Sequence, residues 1–302
     1  MLMQMTDVQP LLRVPTCPGS ADQAEIYVQG DLPVLVDFDS SVLEREKIML
    51  EQGSSRVRRR AENGNSRIKR LLSPSKRVTH DNIANLIGLL RAQTAAPRVL
   101  VIGGGTVGQG MGALYDAADI QVIAFDLYAS PMIHFIADAH DIPLDAGVVD
   151  GVIVQAVLEH VLDPKKVVAE IWRVLKTGGI VYSETPFLQH VHEGAYDFTR
   201  FTESGHRYLF RQFELIRSGV CGGPGTQLMW SIDYFVRSLF RSWTAGKLAK
   251  FACLWLQWFD RLIPESYGSD AASGCYFLGR RSTVTLSSHQ AVGFYRGAQN
   301  PA

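Results

Sequence analysis

The chain has 302 residues, of which 46% are hydrophobic and 20% are charged. This composition can bury a substantial core, which excludes a chain that is disordered as a whole. Its 30 basic and 30 acidic residues balance, so an overall cationic field that would attract nucleic acid or anionic lipid is also excluded, and any basic binding site must be local.

The N-terminal region, residues 1–79, is predicted to be a leader before the main domain. Residues 25–37 alternate polar and apolar side chains around a Gly-Asp turn, which predicts a small β-hairpin. A basic helical linker follows between Arg56 and Arg77. It is either a phosphate-binding patch for RNA or an anionic substrate, or a solvated helix face. No aromatic side chains are interleaved to stack on bases, which favours the solvated face and argues against RNA.

The main domain is predicted over residues 80–286. Short apolar, β-branched runs predict buried parallel strands, with helices between them at about 107–117, 129–137 and 164–175. This alternation predicts an α/β fold, a doubly wound Rossmann-like and mostly parallel sheet with helices on both faces and ligands at the carboxyl ends of the strands. The predicted strands are 98–104, 120–126, 148–155 and 178–186.

Residues 226–262 are predicted to be a helical insertion of two amphipathic helices rich in Trp and Phe. Lys and Arg interrupt it, so it does not span a membrane. Such an aromatic stripe most often packs on the core, but it could also line a hydrophobic pocket or make a peripheral membrane contact. Residues 275–281 predict a late edge strand, and residues 287–302 a flexible tail. The oligomeric state is not readable from the sequence.

Cysteine usage and the absence of an apolar leader predict a cytoplasmic protein. The four cysteines are scattered and form no C-x-x-C pair, which argues against a disulfide framework and a closed zinc site. No apolar stretch reaches the roughly 20 residues of a spanning helix. Because the cysteines are scattered, we predict no bound metal. The cysteines are Cys17, Cys221, Cys253 and Cys275.

A glycine-rich turn follows the first predicted strand of the main domain. Gly103, Gly105 and Gly108 form a G-x-G-x-x-G pattern, which allows a tight turn and lets a ligand approach the backbone closely. The next strand ends at Asp126, 21 residues beyond Gly105, where an acid can accept hydrogen bonds from both ribose hydroxyls. The two signals together favour an adenosine site over the alternative that Asp126 only caps the following helix.

Three further segments follow in order: D-A-x-x-h-P from Asp138, L-E-H from Leu158 and L-K-x-G-G from Leu175. With the glycine turn and Asp126, this order over about 98–205 closely resembles the class I S-adenosylmethionine-dependent methyltransferases, particularly the type 11 methyltransferase domain. The resemblance implies methyl transfer from S-adenosylmethionine to a small-molecule acceptor. A sugar, a lipid-linked intermediate and a secondary metabolite all remain open as acceptors.

The resemblance also implies which residues hold the cofactor. Gly103 and Gly105 would lie near its methionine part, and Asp126 would bind the ribose. Asp138 and Ala139 would meet the adenine edge, and Gln155 would lie beneath the sulfonium. The L-E-H segment usually has a structural role.

Candidates for chemistry on the acceptor lie in residues 189–202, just past the fourth predicted strand. Methyl transfer is an in-line displacement, but a hydroxyl or ammonium acceptor must lose a proton, and His192 is the candidate base. His190, Asp197 and Arg200 are candidate substrate-binding residues. Alternatively, the two histidines form a structural pair and Asp197 and Arg200 an ion pair that fixes the loop.

Two alternative functions remain open at this point. One is an NAD(P)-dependent Rossmann oxidoreductase, and the other is a non-catalytic cofactor-binding module. The second is motivated by Val101, which stands where the family often has an acid. It is also motivated by the leader, which resembles a degenerate zinc ribbon in which Val14 replaces the first cysteine and Cys17 stands alone.

Overall fold

The computed structural model describes residues 2–13, 27–29, 31–39, 41, 44–46 and 77–300. Cys17, Val14 and the basic run from Arg56 to Lys76 lie outside the described residues. The described strands form one sheet. They are β1 (Tyr27–Gln29), β2 (Leu32–Val34), β3 (Arg98–Ile102), β4 (Gln121–Asp126), β5 (Phe135–Ile136), β6 (Val149–Gln155), β7 (Leu175–Pro186), β8 (Phe213–Gly222) and β9 (Gly274–Arg281).

The sheet confirms the predicted doubly wound, mostly parallel architecture. The strand order is β1-β2-β5-β4-β3-β6-β7-β9-β8. Strands β5, β4, β3, β6 and β7 run parallel, and β9 pairs antiparallel with both β7 and β8. From β3 the chain adds β4 and β5 on one side, then returns to add β6 on the other. The carboxyl ends of β3 and β6 therefore form the switch point where such sheets bind ligands.

Helices cover both faces because apolar side chains of the buried strands point alternately to each side. One hydrophobic cluster joins the sheet to the helices Pro164–Val174 and Glu203–Leu209, and the other joins it to the helices Arg77–Arg91 and Gly112–Asp116. The helix Pro164–Val174 begins where Asp163 accepts hydrogen bonds from Lys165 N and Lys166 N, with Pro164 in the first turn. The described helices are α1 (Met5–Val8), α2 (Arg77–Arg91), α3 (Gly112–Asp116), α4 (Pro164–Val174), α5 (Glu203–Leu209), α6 (Pro224–Phe240), α7 (Trp243–Ala252), α8 (Glu265–Asp270) and α9 (Ser288–Val292).

The helix predicted at 129–137 is wrong. Phe135 and Ile136 form β5 instead, and His134 is buried between β4 and the N-terminal segment. The His134 ring accepts a hydrogen bond from Ala124 N through Nδ1, which leaves Nε2 to donate to the carbonyl oxygen of Met3. These long-range bonds hold the segment extended. The helix predicted at 107–117 is also shorter, spanning only Gly112–Asp116.

The described part of the leader extends the main sheet. The predicted hairpin is present as β1 and β2, and Val34 pairs in parallel with Ile136 of β5. The division of the chain at residue 79 stays a prediction. At the other end, α9 starts with a capping box at Ser287, and Tyr295 donates a hydrogen bond to Asp270. The flexibility of that tail also stays a prediction.

The segment 226–262 forms most of α6, then α7 and a 3₁₀ helix, Leu254–Arg261. The carboxylate of Asp260 accepts hydrogen bonds from Gly225 N at 2.6 Å and from Thr226 N at 3.2 Å, so the end of the segment caps its beginning. Most of its aromatic side chains are exposed rather than packed on the sheet. In the described chain, no helix combines the length and apolar character that crossing a bilayer requires.

Candidate active site

A cavity of about 380 Å³ opens at the carboxyl ends of β3, β4 and β6, where the strand order reverses. Small-molecule sites typically enclose ~300–1,000 Å³. Five of the six residues predicted to bind the cofactor line this cavity, namely Gly103, Asp126, Asp138, Ala139 and Gln155. The sixth, Gly105, is not among the lining residues.

The glycine turn forms one wall because its backbone leaves no room for side chains. Gly103 has a φ of +72°, and a Cβ there would lie 2.5 Å from Cγ2 of Val157. A Cβ on Gly108 would lie 2.0 Å from Oε1 of Gln155. Bulkier residues would therefore fill the space that a ligand needs next to the main chain.

Asp126 is joined directly to that turn. Its Oδ2 accepts a hydrogen bond from Gly105 N at 2.9 Å, and its Oδ1 accepts one from Leu127 N at 2.7 Å. The carboxylate is almost fully buried yet lines the cavity. These two backbone donors fix the orientation of the carboxyl group at the cavity wall.

Asp138 lies after β5 and is fixed by a separate set of donors. It accepts hydrogen bonds from His140 N at 2.9 Å and His140 Nδ1 at 2.6 Å, and from the hydroxyl of Ser41. Burial would raise the pKa of Asp138, but the hydrogen bonds from His140 and Ser41 lower it below its ordinary value. Asp138 therefore stays ionised at the edge of the cavity, beside Ala139.

Gln155 is held at the end of β6 by a buried polar network that sequence reasoning missed. Its Nε2 donates to Oε2 of Glu184 at 3.0 Å and to the carbonyl oxygen of Gln109 at 3.2 Å. Glu184 also accepts hydrogen bonds from the hydroxyls of Thr79 and Tyr182, each at 2.5 Å. Burial and the neighbouring Glu184 raise the pKa of Tyr182. The only sequence signal was an acid near the end of a predicted buried strand.

The residue after Gln155 adopts an unusual backbone conformation. Ala156 lines the cavity and has a φ of +54°, which costs a non-glycine residue on the order of 1–3 kcal/mol. Its N–H donates to the carbonyl oxygen of Glu184, which holds the strained residue in place. Strained residues cluster at functional sites, and this one turns the chain from β6 towards the L-E-H segment.

The acceptor-side candidates do not line the cavity. Asp197 and Arg200 form an ion pair, with Arg200 Nη2 at 3.0 Å from Asp197 Oδ2, and His190 stacks on Tyr234 with ring centroids 4.2 Å apart. His192 N donates to Oδ2 of Asp197 at 2.8 Å. Burial would raise the pKa of Asp197, but Arg200 and His192 lower it to about 2. The geometry matches the loop-fixing interpretation, and the substrate-binding roles stay predictions.

Other residues of the same loop and of the L-E-H segment do reach the cavity. Glu193, Tyr196 and Phe198 line it, and so does His160. His160 and His192 meet edge to face, with ring centroids 4.9 Å apart. Sequence reasoning gave His160 a structural role, because nothing in a linear motif showed that a loop 32 residues later would fold back onto it.

The lining residues fit the cofactor that the resemblance implies. A side-chain-free turn, a buried carboxyl group, a second acid and a fixed amide surround one cavity in the expected order. This set offers acceptors for ribose hydroxyls and an adenine amino group.

Comparison with solved structures gives similar folds at low identity. A putative sarcosine dimethylglycine methyltransferase from Galdieria sulphuraria is 15% identical, with a TM-score of 0.45 over 68% of this chain and 86% of that one. A complex of the Haloferax volcanii Trm112 activator and a putative methyltransferase is 19% identical, with a TM-score of 0.41 over 71% of this chain and 96% of that one. Haemonchus contortus phosphoethanolamine N-methyltransferase 2 with S-adenosyl-L-methionine is 16% identical, with a TM-score of 0.41 over 67% of this chain and 53% of that one.

No curated protein matches the chain. Residues 100–183, however, match the family model described as a methyltransferase domain, of type 11. The matched region contains the glycine turn, Asp126, Asp138, Gln155 and the L-E-H segment. The match confirms the resemblance and favours a methyltransferase over both alternative functions. Residues 100–183 therefore identify this chain as an enzyme that carries a type 11 methyltransferase domain and uses S-adenosylmethionine as its methyl donor.

Proposed function

We propose that the protein methylates a small-molecule acceptor that is linked to lipid and presented at an anionic membrane surface. The observation that carries this proposal is the exposed apolar surface of residues 235–262, here called the aromatic surface. So many exposed large apolar side chains in one segment indicate a binding surface. It consists of Phe235, Leu239, Phe240, Trp243, Leu248, Phe251, Trp255, Trp258, Phe259 and Leu262.

The charges of this segment complement an anionic surface. The exposed charged side chains between residues 226 and 262 are Arg241, Lys247 and Arg261, all cationic. The two acids, Asp233 and Asp260, are used internally: Asp233 pairs with Arg237, and Asp260 caps α6. Trp and Phe beside Lys and Arg are typical of helices that lie in a lipid interface. This favours lipid over a second copy of the chain.

The aromatic surface adjoins the acceptor side of the cavity. On α6, the Tyr234 hydroxyl donates to the carbonyl oxygen of Val191 at 2.8 Å, and Gln227 Nε2 donates to that of Leu188 at 2.8 Å. The loop that α6 supports in this way also supplies Glu193 and Tyr196 to the cavity wall. An acceptor anchored in lipid would therefore meet the enzyme next to this loop.

S-adenosylmethionine supplies a methyl group on a positively charged sulfur. We propose that Gly103, Gly105, Asp126, Asp138, Ala139 and Gln155 bind it as the resemblance implies, with Glu184 positioning Gln155. The chain's contribution is to place the acceptor in line and to exclude water. The base role of His192 stays a prediction, because its ring faces Glu159 rather than the cavity.

Removing two exposed apolar side chains, Trp258→Ser and Leu262→Ser together, should abolish vesicle binding. Burying one such side chain contributes about 1.5–3 kcal/mol, so each change should weaken partitioning about tenfold or more. Flotation with phosphatidylcholine vesicles, with and without phosphatidylglycerol, measures this. The wild type should float only with the anionic vesicles and should be released as salt rises.

Val284→Ser with Val292→Ser is the matched control, because these side chains are 74% and 80% exposed, against 72% and 77% for Trp258 and Leu262. The control should float like the wild type. A wild type that binds neither vesicle, but forms a dimer that the Trp258 and Leu262 changes dissociate, would assign the surface to self-association instead.

The acceptor class is tested with S-adenosylmethionine labelled on its methyl group. Incubation with the organic and aqueous fractions of a cell extract should label a product in the organic fraction, and the Asp126→Ala variant should give less of it when the donor concentration is near the wild-type Kd. Label confined to aqueous products would show a methyltransferase whose acceptor is not lipid-linked.

A further inference from the structure

We propose that Glu159, His160 and His192 form a binding site for one divalent transition-metal ion of the Zn²⁺ type, beside the cavity. One potential ligand atom from each residue lies within 4.8 Å of the other two. Glu159 is fully buried and the two histidines are partly buried. The proposal departs from the sequence prediction of no metal, which considered only the cysteines.

The hydrogen bonds of the two imidazoles direct one nitrogen of each towards Glu159. Nδ1 of His160 lies 2.7 Å from the carbonyl oxygen of Tyr196, which can only accept, so Nδ1 carries the proton. Nδ1 of His192 lies 3.2 Å from the carbonyl oxygen of His190 and 3.4 Å from Oδ2 of Asp197, again both acceptors. In the neutral rings, Nε2 of each histidine therefore presents a lone pair.

Both lone pairs face the same carboxylate oxygen. Nε2 of His160 is 3.7 Å and Nε2 of His192 is 3.8 Å from Oε1 of Glu159. These separations exceed the hydrogen-bond range of about 2.7–3.2 Å, so a shared proton does not span them well. Two ligands of a tetrahedral ion at about 2.0–2.2 Å lie about 3.3–3.6 Å apart, so each nitrogen needs to approach the oxygen by only a few tenths of an ångström for both to bind one ion.

The surroundings have the features that hold metal ligands in place. A carboxylate or carbonyl that accepts from the far nitrogen of a histidine fixes its tautomer and raises its basicity, and here both histidines have such a partner. The backbone of Glu159 is tied to the loop, since Phe198 N donates to its carbonyl oxygen at 2.8 Å. Two acids, Glu159 and Asp197, therefore lie beside the two imidazoles, and Arg200 is paired with Asp197.

The ligand set indicates which ion the site would bind and what that ion would do there. Two imidazoles and one carboxylate, without a thiolate, are typical of Zn²⁺ and Fe²⁺ sites with open coordination positions. His160 lines the cavity, so an open position there would face the acceptor. This use of the ion rests on the proposed function. An acceptor hydroxyl next to the ion would lose its proton to solvent more readily. The oxygen of that hydroxyl would bond to the methyl carbon while the electron pair of the carbon–sulfur bond returns to sulfur.

The test measures metal binding itself, without an acceptor. The whole chain, stripped with a chelator and dialysed against Zn²⁺, should bind one equivalent, and Co²⁺ in its place should give the visible absorption of a low-coordinate nitrogen and oxygen site. Glu159→Gln, His160→Ala and His192→Ala should each remove that equivalent. Asp197→Asn, which alters the partner of His192 and also weakens the ion pair with Arg200, should weaken binding about 10- to 100-fold.

Two controls separate this site from other ligands in the chain. His289→Ala, on the exposed helix α9, and Cys17→Ser should both keep the full equivalent. Circular dichroism, measured for every variant, shows that each one is folded. A wild type that binds no Zn²⁺, or His160→Ala and His192→Ala variants that bind it fully, would overturn the metal site. Failure of the vesicle experiment alone would leave it standing.

Discussion

Replacing Asp126 by alanine should weaken binding of S-adenosylmethionine by about 1–3 kcal/mol, or about 5- to 150-fold. The change removes the acceptor that we assign to the ribose, and it also releases Gly105 N and Leu127 N from their hydrogen bonds. Both the ligand contact and the fixed shape of the glycine turn would be lost. Calorimetric titration with S-adenosylmethionine measures the effect.

The matched control is Asp119→Ala, which lies before the start of β4 while Asp126 ends it. Asp119 pairs with Arg91 at 2.7 Å on the surface, where such pairs contribute little to stability. Its substitution should leave the affinity unchanged. Equal affinity in the Asp126→Ala variant and the wild type would contradict the ribose role.

Replacing Glu184 by alanine should lower the free energy of unfolding by about 3 kcal/mol. The change leaves the hydroxyls of Tyr182 and Thr79 without their buried acceptor and removes one of the two acceptors of the Gln155 amide. Each buried group left unsatisfied costs about 1–3 kcal/mol. Some of that cost would be recovered by relaxation. Urea unfolding followed by circular dichroism measures the difference.

Two comparisons identify the origin of that loss. Glu184→Gln keeps one carbonyl oxygen and the side-chain volume, so it should lose less than Glu184→Ala. Glu214→Ala, at an exposed position of β8, should stay within about 0.5 kcal/mol of the wild type. If Glu184→Ala proved as stable as Glu214→Ala, the network around Gln155 would not be a structural support of the cavity.

The sequence predicted the parallel part of the sheet well because each strand carries its own signal. Runs such as residues 98–102 and 149–155 are apolar and β-branched, which is typical of strands buried on both faces. The segment 129–137 was predicted wrongly because its periodicity suits a helix, while its conformation is set by partners far along the chain. His134 bonds to the strand before it and to the N-terminal segment, and no local pattern shows this.

The candidate site also has one part whose arrangement could be predicted from the sequence and one part whose arrangement could not. The position of five candidate cofactor residues around one cavity could be predicted because they follow strand ends at a spacing that the βα unit imposes, while their roles stay predictions. The acceptor side could not, since it depends on how the loop after β7 folds over the L-E-H segment. Glu159 and His192 are 33 positions apart, and only the folded loop brings them within 3.8 Å.

Helix α6 joins two parts of the protein that would otherwise respond separately to their surroundings. Its Tyr234 is bonded to Val191 and stacked on His190, while Phe235 and Leu239 on the same helix are exposed. Binding of this helix to a membrane would thus immobilise the loop after β7, which contributes to the cavity wall. Turnover would then depend on whether the enzyme is bound to the membrane as well as on the concentration of donor, and the unbound enzyme would turn over slowly.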